Sequence, residues 1–83
     1  MSPAAAVQSD ALWLHAPNYD VAALNAKLSS RLPELDRAIK TGVLVSPDPT
    51  RSNFYDVELA EGWAYIHVRD DKQTVYLVAY SRM

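Results

Sequence analysis

The sequence predicts an α+β fold. It reads as a two-layer sandwich: an antiparallel sheet of three to four strands, mostly a C-terminal meander, with one kinked helix or helix pair on its apolar face. Two patterns predict it. Apolar side chains recur at helical spacing over residues 21–39, and they alternate with the strand period of two over residues 54–81. A third observation sets the scale. The chain has 83 residues, 49% of them apolar, and no Cys, so one thin core must hold it without a disulfide.

Residues 1–10, MSPAAAVQSD, are small and polar with no period, and read as a disordered arm. They lack the basic and apolar regions of a signal peptide, which makes the cytoplasm the expected location. A single α+β domain is expected over residues 11–83. Its first element, residues 11–16, alternates Leu12 and Leu14 against Trp13 and His15, as a short strand does, and Pro17-Asn18 ends it.

Asp20 is placed to cap a helix, because its carboxylate can accept the free amides of a first turn. Val21, Leu24, Leu28, Leu32, Leu35 and Ile39 come next in steps of three and four and share one helical face. Pro33 interrupts, since it lacks an N–H and presses on the carbonyl four residues back. Ser29-Ser30 before it offers a second cap, so the expectation is a kink or a tight joint between two helices. Gly42 suits the position just past the helix end. A short strand is admitted at residues 43–45, and Pro47 and Pro49 mark residues 46–53 as loop.

The last thirty residues read as three strands. With a turn at Glu61-Gly62 and a second at residues 70–73, Val57 faces Ile66, Val68 faces Val75, and Ala64 faces Ala79. One face then collects Tyr55, Val57, Leu59, Ala64, Ile66, Val68, Val75, Leu77 and Ala79. That face is apolar and expects the helix. The other collects Phe54, Asp56, Glu58, Trp63, Tyr65, His67, Arg69, Thr74, Tyr76, Val78 and Tyr80, with Trp63 beside Tyr80 and Asp56 beside His67 and Tyr76.

The second face carries the functional reading. A solvated sheet face normally shows Thr, Lys, Glu and Ser, whereas Trp, Tyr and Arg are enriched at the centres of protein interfaces. Phe54, Trp63, Tyr65, His67, Arg69, Tyr76 and Tyr80 are therefore the candidate interaction face, for a second copy or another protein. The competing expectation is that the N-terminal strand or the Pro-rich loop covers it. The Asp56–His67–Tyr76 row has the residue types of a proton relay, but no nucleophile or oxyanion site accompanies it, so no catalytic residue is assigned. Asp56, His67 and His15 do not form a recognised metal-ligand pattern, and no cofactor is expected.

Composition excludes much else. The absence of Cys removes thiolate metal sites, and two glycines cannot make a dinucleotide loop. No apolar run reaches the roughly 18 residues of a membrane span. A net charge of −2 and a pI of about 5.5 disfavour nucleic acid. One resemblance adds an enzymatic alternative. The order strand, broken helix, then meander ending in Arg82 resembles the RelE/ParE-like toxins of bacterial toxin–antitoxin pairs, over residues 11–82 and without a shared motif. That resemblance implies a ribonuclease with His67, Arg69, Tyr80 and Arg82 facing RNA. The matching strand, WAYIHVR, lacks the basic cluster of such enzymes. The leading expectation is a non-enzymatic protein-interaction module that forms a homodimer.

Overall fold

The structure, a computed structural model, describes residues 19–82. The arm at residues 1–10 and the strand at 11–16, with Trp13 and His15, lie outside the described residues. The elements are β1 (Asp20–Ala23), α1 (Ala26–Ser29), α2 (Leu32–Lys40), β2 (Leu44–Pro47), β3 (Phe54–Leu59), β4 (Gly62–Arg69), a 3-10 turn (Asp70–Lys72) and β5 (Thr74–Arg82). They form one five-stranded sheet of order β1-β5-β4-β3-β2. From β1 on one edge the chain crosses through both helices to the other edge, and the meander returns it to lie beside β1. The α+β class holds. The sheet is mixed and five-stranded, not antiparallel with three to four strands, because β1 runs parallel to β5.

That difference comes from residues 20–23. Their three-four spacing fits a helix, but β5 would otherwise leave a row of edge amides and carbonyls unpaired. β1 satisfies that row, with Asp20↔Thr74 and Ala23↔Leu77 in register. Asp20 N–H donates to the Gln73 carbonyl at 3.0 Å and Leu24 N–H to the Leu77 carbonyl at 3.2 Å. Asp20 is therefore not a helix cap. Asn25 takes that role, with an extended backbone and a side-chain oxygen that accepts the Lys27 amide at 2.8 Å. Leu24, part of the apolar helical stripe by spacing, is 61% exposed.

The break before Pro33 makes two helices and not a kink. Pro33 sits in the first turn of α2, where its missing N–H removes no bond. The Ser29 and Ser30 hydroxyls do not cap α2. They donate backward, to the carbonyls of Asn25 and Lys27. At the other end, Thr41 Oγ1 donates to the Arg37 carbonyl at 3.0 Å. Gly42 comes after Thr41 with an ordinary negative φ, so left-handed freedom is not its role. A Cβ there would meet Val57 Cγ1 at 2.6 Å, and the glycine lets the helix end lie against β3. β2 then runs to Pro47, further than the prolines suggest, because an edge strand has one side with no partner to lose.

The core lies between the helices and one face of the sheet. Leu35 and Ile39 from α2 pack with Val45, Val57, Leu59, Ala64, Ile66, Val68, Val75 and Leu77. Every expected inner-face residue except Tyr55, which is half-buried, and Ala79, which is exposed, is buried there. The β3–β4 turn is Ala60-Glu61, not Glu61-Gly62, so Val57 faces Ala64 and Leu59 faces Gly62. The slip is two residues in total, and an even slip leaves each side chain on its face. The second hairpin has the expected register from Arg69↔Thr74 to Ile66↔Leu77. Gln73 closes its turn in the left-handed region, φ 47°. Beyond Leu77 the register shifts: Tyr65 faces Ala79 and Ala64 faces Tyr80, leaving Val78 as a β-bulge. The bulge turns Ala79 outward and Tyr80 inward against the core.

Gly62 is the tightest point of the sheet. A Cβ on it would lie 2.1 Å from the Ser81 carbonyl oxygen and 2.9 Å from Arg82 Cα. Both are backbone atoms and cannot rotate away. Gly62→Ala is expected to destabilise the fold by about 1–3 kcal/mol, the usual range for overpacking. Urea unfolding of the two proteins checks this; an unchanged midpoint would mean that β5 does not run this close to Gly62.

Candidate aromatic interface

The helices and the core occupy one face of the sheet. The opposite face is built by the outward residues of β3, β4 and β5, and its centre is a set of rings. Phe54 faces His67, and His67 faces Tyr76. The Phe54 and His67 rings are stacked, with centroids 4.3 Å apart and planes within 3°. Tyr76 lies tilted at 6.3 Å from His67, and Tyr65 stacks on Phe54 at 5.5 Å. Tyr65, Phe54, His67 and Tyr76 thus form one continuous array across three strands. Offset and stacked ring pairs each add stability beyond the area they bury. Trp63 stands on the same face, opposite Glu58 and Ser81, and is 46% exposed.

The loop between β2 and β3 closes one end of this face. Asp48 folds it as an Asx turn, its Oδ1 accepting the Thr50 amide and hydroxyl, both at 2.8 Å. Its other carboxylate oxygen accepts a short hydrogen bond from the Tyr65 hydroxyl. The Arg51 guanidinium lies 5.5 Å from the Phe54 ring centre, a cation–π contact. Asn53 ends the loop with φ 68°, a conformation Asn tolerates. The Pro-rich loop therefore covers one end of the face, as the competing expectation has it, while Trp63 stays open.

Two expected placements are corrected. Tyr80 does not stand beside Trp63, because the Val78 bulge sends it to the helix side. Asp56 faces Tyr65, and His67 lies between Phe54 and Tyr76, so the expected acid–histidine row does not form. Arg69 is on the outer face, but its guanidinium is clasped by Asp71 through Nε at 3.0 Å and Nη2 at 2.8 Å. The Asp71 carboxylate raises the Arg69 pKa and is itself held below its ordinary value by that guanidinium. Phe54, Trp63, Tyr65, His67 and Tyr76 remain together. Among the described residues no three His, Asp or Glu side chains gather as a metal set, and no helix is long and apolar enough to cross a membrane. Residue pattern does not single out Asp48 and Arg51 as site residues; the Asp-Pro-Thr turn signal is the one hint that this loop is ordered.

Comparison with protein-family models, with curated proteins and with solved structures gives no match. The resemblance to RelE/ParE-like toxins thus rests on element order alone. The four residues it implies do not share a surface. His67 and Arg69 are on the outer face, whereas Tyr80 packs on the helix side and Arg82 borders a cleft there.

The Asp48–Tyr65 tether has a defined pH window. The Tyr65 hydroxyl first, then the Thr50 amide and hydroxyl, hold the Asp48 carboxyl at about 2, against an ordinary 3.8. Asp48 in turn raises the Tyr65 pKa. A depressed carboxyl pKa favours the fold above its unfolded value and loses that contribution as pH falls toward the folded one. The tether should be fully present above about pH 4 and fade toward pH 2. Tyr65→Phe is expected to return the Asp48 titration toward 3.8, read by carboxyl NMR. A titration unmoved by the substitution would mean that Thr50 alone sets it.

Proposed function

We propose that the chain is a non-enzymatic interaction module that pairs with a second copy of itself through the outer sheet face. The observation that carries this reading is the ring array of Tyr65, Phe54, His67 and Tyr76 with Trp63 exposed beside it. Such rings on a rigid sheet present large contact area with little side-chain entropy left to lose. The Asp48 tether and the Arg51 contact fix two of them further. The face also carries both charge signs, Arg51 near the start of β3 and Glu58 near its end, as a self-pairing two-fold surface needs. Ten of the described residues form the buried core, a small number, and small domains commonly gain stability by association.

A ribonuclease reading finds less support. The chain is acidic, Arg69 is already paired with Asp71, and His67 has rings, not a carboxylate, on both sides.

Light scattering after gel filtration tests the proposal. A particle near twice 9.3 kDa is expected. Trp63→Ala and Phe54→Ala should each weaken the dimer about tenfold or more, as residues at an interface centre do. Leu24→Ala, which removes an exposed side chain off that face, should leave it intact. A monomer at every concentration, or a dimer indifferent to Trp63 and Phe54, would overturn self-association through this face.

A further inference from the structure

On the helix side of the sheet, a cleft of about 230 Å³ opens between α2 and the β3–β4 turn. Leu35, Ala38, Leu59 and Tyr80 supply its apolar lining, and Arg31, Arg37 and Arg82 its cations. We propose that this cleft binds a small organic oxyanion, a carboxylate or phosphate on a short apolar body.

The charge distribution points there first. The chain has net charge −2, yet the cleft holds three guanidinium groups against two carboxylates, Glu34 and Glu61. Lys27 lines an adjoining hollow that shares Arg31 and Tyr80 with the cleft, so positive charge continues along it. The state of these cations is the second argument. Elsewhere among the described residues, Arg69 is held by Asp71, Lys40 by Asp36 and Arg51 lies over Phe54, which leaves only Lys72 without a partner. Arg31 and Arg37 have no ion-pair or side-chain hydrogen-bond partner among the described residues. Arg82 reaches Glu61 only at 3.9 Å, beyond hydrogen-bond length. Two arginines and part of a third therefore border a cleft with donors unused.

Guanidinium forks match the planar geometry of carboxylate and the oxygens of phosphate, which a hydrated ammonium does not. Tyr80 adds a neutral donor, since its hydroxyl has no hydrogen-bond partner among the described residues. The bulge at Val78 is what puts that ring here and not on the outer face. Leu35 and Leu59, buried at the cleft's base, suit an apolar body over a charged head. The volume lies below the roughly 300–1,000 Å³ of pockets for drug-sized ligands, which limits the body to one ring or a short chain. The cleft lies across the sheet from the ring array, so its occupancy is independent of self-association.

The test is an amide NMR titration of the full chain with three probes of similar shape: phenyl phosphate, benzoate and neutral benzyl alcohol. Saturable shifts at Ala38, Thr41 and Ala60 are expected with one or both anions, and the tighter of the two identifies the head group. Added salt should weaken binding. The double variant Arg37→Gln, Arg82→Gln should weaken it about tenfold or more with thermal unfolding unchanged, because both side chains are exposed. Benzyl alcohol binding as tightly as the anions, shifts that never saturate, or an affinity unchanged in the double variant would each overturn the proposal.

Discussion

The pairing of β5 with β4 decides what each face of this sheet becomes. From Thr74 to Leu77 the two strands keep strict alternation, so Val75 and Leu77 enter the core while Tyr76 joins the rings outside. The bulge at Val78 then reverses the alternation. Had the register continued, Ala79 would lie under α2 and Tyr80 beside Trp63. One inserted residue instead moves the larger ring to the helix side, where the core ends and has room for it. The outer face ends in Ala79 and Ser81, and Trp63 has no ring neighbour among the described residues. The same strand offers its far edge to β1, so it sits between two neighbours and fixes both hairpin and crossover.

Around that framework the polar contacts have unequal weight. The Lys40–Asp36 and Arg69–Asp71 pairs are part-exposed, and such pairs contribute little to stability. Their effect is on availability. Asp71 removes Arg69 from the set of cations open to an anion, and Arg51 is occupied by a ring. Among the described residues, the uncommitted cations other than Lys72 line the helix-side cleft and the hollow adjoining it. Asp48 acts differently: it joins a loop to a strand residue and so limits the motion of the face it borders.

The parts of the fold legible in the sequence are those set by local period. The alternation from Phe54 to Leu77 assigns faces correctly, and it survives even where the first hairpin slips by two, since parity alone decides the face. Gly62 misleads because glycine marks turns, whereas here it marks contact with the backbone of β5. Residues 20–23 mislead because their spacing suits a helix, and only the unpaired edge of β5, far along the chain, makes them a strand. Six of the seven candidate interface residues, Phe54, Trp63, Tyr65, His67, Arg69 and Tyr76, are brought to the outer face, five of them half-buried and Trp63 exposed. Parity puts Tyr80 there too, and a bulge breaks parity without any sign in residue type. The supporting roles of Asp48 and Arg51 depend on how a loop folds over a sheet, and no period records that.

The division of the sheet into a ring face and a helix face is tested most directly by nuclear Overhauser contacts of the Tyr80 ring. Contacts from that ring to the methyl groups of Leu35 or Leu59, with none to the Trp63 indole, are expected. Contacts between Tyr80 and Trp63, with Ala79 turned toward Ile39, would mean that β5 runs without its bulge, and both the outer face and the cleft would have to be redrawn.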